Sequence, residues 1–123
     1  MSKSSRLGAT FEQQVADYAA KRLGDRRIER RAKNGKNDRG DIAGLTHLGK
    51  RVVAECKNCK RMELSGWVKE AEVERGNDDA EYGIVIHKRR GCGEKHFGGN
   101  FVTMTLDTYL AMCAGGFDLL EER

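Results

Sequence analysis

The run Ile84-Val85-Ile86 constrains the fold more than any other part of the chain. Three consecutive β-branched residues leave no polar face, so a strand formed there must be covered on both sides. Helices above and below a sheet supply that cover in a chain of mixed elements. Three helices are readable. Phe11, Val15, Tyr18, Ala19 and Leu23 recur at helical spacing, with Thr10 and Gln13 as a capping box and Gly24 as the stop. Ser65 is a candidate cap for a second helix carrying Trp67, Val68, Ala71 and Val73 as far as Gly76, and Asp107 for a third that halts at Gly115-Gly116. Strands are expected over 26–32, 41–46, 50–57 and 101–105 to join the one over 82–87. Residues 1–9 read as a flexible basic start, while 34–40 and 89–100 are polar, glycine-rich loops. The order αβββαβ, then one more strand and helix, predicts an α/β fold with a mixed central sheet flanked by helices. Its 123 residues suit a single domain.

Charge narrows the function. The net charge is only +4, but it is unevenly distributed. Residues 21–39 hold nine basic and three acidic side chains, residues 50–61 five and one, and residues 88–95 four and one. Residues 70–81 reverse the pattern, with six acidic and one basic. Such segregation suits a polyanion-binding face backed by an acidic one, against the alternative of ordinary solvated charge. No apolar run approaches the ~18–20 residues of a membrane span. The start Met1-Ser2-Lys3-Ser4-Ser5-Arg6 lacks the apolar core of a secretory signal, so an intracellular, cytoplasmic setting with reduced cysteines is expected. Cys56, Cys59, Cys92 and His96 offer an incomplete zinc set, for which structural thiols are the alternative.

The strands over 41–46 and 50–57 carry the chemistry. If a three-residue loop, His47-Leu48-Gly49, closes the hairpin with its glycine left-handed, Thr46 pairs with Lys50. Asp41 then faces Glu55, and Lys57 shares their side of the sheet. Opposed carboxylates destabilise a sheet unless a cation lies between them, and hard carboxylate oxygens suit Mg²⁺. Lys57 could orient a water or neutralise charge developing on a phosphate. The spacing equally fits a structural triad in which Lys57 screens two surface carboxylates.

Gly40-Asp41-Ile42 followed by Glu55-Cys56-Lys57 resembles the signature of the PD-(D/E)xK nuclease superfamily, whose restriction-endonuclease-like core has the αβββαβ order. Gly8-Ala9-Thr10-Phe11-Glu12 and Arg31-Ala32-Lys33-Asn34-Gly35 are similar to segments of its archaeal-type Holliday junction resolvases. The likeness covers roughly residues 8–88. Gly40 stands in place of the signature proline, and Asn37-Asp38 in place of a serine-containing stretch. The resemblance implies Asp41, Glu55 and Glu12 as ligands of Mg²⁺ or Mn²⁺, Lys57 as a catalytic group, and Arg31 as a phosphate contact. Lys33, Lys36, Arg39, Lys60, Lys88, Arg89 and Arg90 are further candidates for DNA contact. Symmetric cuts in branched, four-way DNA would require a homodimer. Nicking, flap or restriction-like cleavage, and a non-catalytic nucleic-acid-binding module, are the alternative functions. Glu70, Glu72 and Glu74 read as a solvated helix face, Trp67 as core or dimer surface, and His87 as a structural histidine.

Overall fold

Ile84-Val85-Ile86 lies at the centre of a six-stranded mixed sheet in a computed structural model that describes residues 3–32 and 35–122. The strands are β1 (Glu29–Arg30), β2 (Ile42–Ala43), β3 (Thr46–His47), β4 (Lys50–Lys57), β5 (Tyr82–His87) and β6 (Phe101–Thr103). The helices are α1 (Lys3–Leu23), α2 (Leu64–Asp78) and α3 (Leu106–Ala114). The sheet runs β1-β2-β4-β5-β6, with β3 also paired to β4. β4 and β5 are parallel and joined through α2, whereas the other pairs are antiparallel.

Alternation along the strands divides the core in two. Val52, Ala54 and Cys56 of β4, with Ile84 of β5, pack on Phe11, Val15 and Ala16 of α1 and on Ala111 of α3. Val85 points the other way, onto Trp67 and Ala71 of α2. Both faces of β5 are therefore covered, as its apolar run requires. Glu55 and Lys57 share parity with Val53 and turn toward the α2 side.

Several boundaries differ from expectation. α1 begins at Lys3, so the described part of the 1–9 segment is helical rather than a flexible lead-in. The strand expected over 26–32 is reduced to two exposed residues, since only Ile28 in that stretch is buried. α2 starts at Leu64, without a side-chain cap, and passes Gly76 to end at a left-handed Asp79. Thr105, not Asp107, caps α3, and its hydroxyl accepts the Thr108 N–H at 3.1 Å. The loop over 89–100 contains a short 3₁₀ segment, Glu94–Gly99.

The hairpin departs from expectation twice, by one residue each time. Its loop is two residues, Leu48-Gly49, both with positive φ (51° and 81°), and pairs His47 with Lys50. That is the backbone twist a tight hairpin favours. Continued unbroken, this register would move Asp41 off the Glu55 face. An extra residue at Ala43-Gly44 restores it, because β2 pairs Ile42 with Ala54. Gly44 has φ 91°, and a Cβ there would lie 2.7 Å from the Arg27 carbonyl oxygen. The two shifts cancel, leaving Asp41 opposite Glu55. Among the described residues, no helix is long and apolar enough to cross a membrane.

Candidate active site

Asp41 is fixed by its backbone before its side chain acts. Its N–H donates to the Ala54 carbonyl at 2.8 Å, and its own carbonyl accepts the Arg31 N–H at 2.7 Å. Its Oδ2 accepts the Cys56 N–H at 2.7 Å, standing in for a ladder acceptor where β2 has ended. Gly40 makes the approach possible. Its φ is 95°, and a Cβ would sit 2.7 Å from Val53 Cγ1, so the position before Asp41 admits no side chain at this spacing. Asp41 is 1% exposed and Glu55 3% exposed.

The α2 face completes the group. Trp67, Ala71, Glu74 and Asp78 are its buried residues, an apolar stripe that continues as acid. Ligand atoms of Glu55, Glu70 and Glu74 all lie within 4.8 Å of one another, an arrangement that could hold a metal ion. Glu55 and Glu74 are buried, while Glu70 is exposed at the rim. Burial raises Glu55 to about 8, opposed by a hydrogen bond with Asp41 and reinforced by Glu74. Burial likewise raises Glu74 to about 7, with further push from Asp41 and Asp38. Glu74 Oε1 is buried without a hydrogen-bond partner. A buried, unsatisfied carboxylate oxygen among other carboxylates fits a hard divalent cation well.

Lys57 forms the cationic edge. Its Nζ donates to Glu70 Oε1 at 3.0 Å and Oε2 at 3.2 Å. Burial disfavours its charge, but Glu70 and Glu55 outweigh that and hold its pKa above the ordinary lysine value. His87 pairs with Lys57 across β4–β5. It is buried between Trp67 and Phe101, donates to or accepts from Thr103 Oγ1 at 2.7 Å, and is held below its usual pKa by burial.

The other candidates separate into paired and open groups. Glu12 is buried but engaged on β1, accepting from Arg30 Nε at 3.0 Å, and is not among the three glutamates that converge. Arg31 is directed inward, 3.1 Å from Asp78 and donating to the Arg39 carbonyl at 2.7 Å. Arg39 also reaches Asp78, at 3.8 Å. Lys33 lies outside the described residues. Lys36 and Lys60 are exposed. Lys88 sits over Phe11 and Phe97, about 6 Å from each ring, while Arg89 and Arg90 are exposed beyond β5. Cys56, Cys59, Cys92 and His96 do not assemble as a zinc set; the Cys92 thiol donates to the His96 carbonyl at 2.6 Å.

Glu70 and Glu74 were legible only as a charged helix face. The available signal was their spacing, three and seven residues beyond Trp67, which puts acid on the stripe that the tryptophan buries. No known family, characterised protein or solved structure matches this chain.

Proposed function

We propose that the chain is a metal-dependent endonuclease of the PD-(D/E)xK kind, acting on branched DNA and most specifically on four-way junctions. The observation that carries this reading is the metal-sized cluster of Glu55, Glu70 and Glu74, with Asp41 hydrogen-bonded to Glu55, Lys57 bonded to Glu70 and a buried Glu74 oxygen left unsatisfied. The restriction-endonuclease-like order of elements, αβββαβ, agrees with the helix–strands–helix–strand sequence around the site.

Glu55, Glu70 and Glu74 would hold Mg²⁺ or Mn²⁺, with Asp41 hydrogen-bonded to Glu55 beside them. A bound ion would supply Lewis-acid polarisation of a phosphoryl oxygen and a lowered pKa for its water. Asp41 is oriented for this by the Cys56 N–H, which leaves its other oxygen facing Glu55. Lys57 stays protonated and offers positive charge where a phosphate accumulates negative charge. Its bond to Glu70 fixes the ammonium at the mouth rather than over the buried acids. Glu12 holds α1 against β1 through Arg30 and would affect the site through that packing.

The test is a cleavage panel of labelled duplex, fork, flap and four-way junction substrates. Cutting should require Mg²⁺ or Mn²⁺ and stop in EDTA. Asp41→Asn and Lys57→Ala should each lower the rate by at least about a hundredfold, the scale of losing one positioned electrostatic group. Absence of cleavage on every substrate, or full cleavage by Asp41→Asn, would refute the reading. Binding that persists in EDTA without any cleavage would identify a binding module instead.

A further inference from the structure

A second cluster lies on the α1 side of the sheet, opposite the α2 side that carries the acids. Lys88 N–H donates to the Lys57 carbonyl at 3.0 Å, and the chain then turns away from the sheet toward α1. Between this segment and α1 is a cleft of about 560 Å³, lined by Tyr18, Arg89, Arg90, Lys95, His96 and the backbone of the glycines at 98 and 99. No carboxylate lines it.

We propose that this cleft is a metal-independent anion site that holds consecutive phosphates of a nucleic-acid strand; the ligand class rests on the nuclease reading above. Its cations share one concave surface and, among the described residues, carry no carboxylate partner. Arg27, Arg30, Arg31, Lys50, Lys57 and Arg75 are each within 4.0 Å of a carboxylate. Among the described residues, Arg89, Arg90 and Lys95 have no such pair. Three unpaired cations on a lining that holds no acid match several phosphates in series better than one.

The cleft is also built in advance of any ligand. Arg89 N–H donates to Asn100 Oδ1 at 2.8 Å, and Asn100 Nδ2 donates to the Phe97 carbonyl at 2.9 Å. The Cys92 thiol ties the same loop to His96. Phe97 anchors it from below, with its ring 5.1 Å from Tyr18 and 5.9 Å from Phe11. A Cβ on Gly98 would collide with the Tyr18 hydroxyl, so the absence of a side chain there lets the backbone lie against the tyrosine. The Arg89 guanidinium lies 5.5 Å over Phe101, which limits its swing. The loop backbone and Arg89 are thus held before a ligand arrives, and such preorganisation favours binding.

The experiment is anisotropy titration of a labelled single strand and a labelled four-way junction in EDTA, across a range of salt. The double variant Arg90→Ala with Lys95→Ala should weaken binding about tenfold or more and reduce the slope of log affinity against log salt by about two, as expected for two lost phosphate contacts. A charge-matched control, Arg26→Ala with Lys69→Ala, should stay within about twofold of the parent's affinity. Arg90→Lys with Lys95→Arg should restore most of the affinity, which a folding defect would not permit. Equal binding by the double variant and the control would overturn the proposal. So would competition by pyrophosphate or a mononucleotide as effective, per phosphate, as that by an oligonucleotide, since the cleft would then serve a small anion. Binding is read in EDTA and cleavage in Mg²⁺, as two separate measurements. Binding through the cleft without cleavage would therefore refute the nuclease reading alone, and cleavage indifferent to the double variant would refute the cleft alone.

Discussion

Glu55 couples the site to pH. Its folded-state pKa of about 8 lies above the ordinary 4.5, and Glu74 at about 7 behaves alike. Between those limits the folded chain binds more protons than the unfolded one, so its stability falls as pH rises. The ion-free protein should therefore lose Tm between about pH 5 and 8 from these groups, and Glu55→Gln should flatten that decline and melt higher at about pH 8. A parent and variant with parallel pH–Tm curves would contradict the burial argument. Divalent-ion affinity should rise over the same window, with proton release visible by calorimetry in two buffers of different ionisation enthalpy. Asp41 separates structure from chemistry. Asp41→Ala leaves the Cys56 N–H without its acceptor and should cost about 1–3 kcal/mol, whereas Asp41→Asn keeps an oxygen there and should melt closer to the parent. Denaturant titration of the two variants checks this difference.

At the scale of elements, α2 frames the site with its middle and its last turn. Its middle brings Glu70 and Glu74 to the β4 carboxylate, and its last turn holds the loop before Asp41. Asn77 Nδ2 donates to the Lys36 and Asp38 carbonyls at 3.1 and 2.9 Å, while buried Asp78 meets Arg31 and Arg39. Asp78→Ala should destabilise the fold by roughly 2–4 kcal/mol, since it leaves a half-buried arginine unpaired, and should weaken divalent-ion binding as well. A loss of stability with ion binding intact would confine Asp78 to the scaffold. The pairing of Asp41 with Glu55 was legible because strand parity needs only an even offset. The route to it was not, because a two-residue turn and a bulge cancel, and neither is signalled by apolar alternation alone. Arg31 was misleading for a related reason: residue type indicates a cation, but only the placement of Asp78 shows that the cation is already engaged. Gly44 joins the two registers. Gly44→Ala should force the bulge out of shape and lower both stability and cleavage, measurable by Tm and by the junction assay.

For the whole molecule, the cationic cleft and the exposed apolar stripe are separate surfaces. The basic segments expected to meet a polyanion divide into internal ion pairs around residues 27–39 and an open cationic cleft beyond β5. Salt sensitivity should accordingly follow Arg90 and Lys95 more than Arg31. Leu106, Tyr109 and Leu110 form an exposed apolar stripe on α3, 71%, 55% and 41% exposed. If symmetric cutting requires two copies, this stripe is a natural contact. Leu106→Glu with Leu110→Glu should then shift sedimentation from two chains to one and convert paired cuts into single nicks. Unchanged mass would place the pairing surface elsewhere. Trp67, the chain's single tryptophan, is buried against Val85 and His87 one turn before Glu70. Its indole is thus a native fluorophore on the helix that carries the acids. Ion entry at Glu74 should alter its emission without any attached dye, and the emission of Glu74→Gln should stay silent in the same titration.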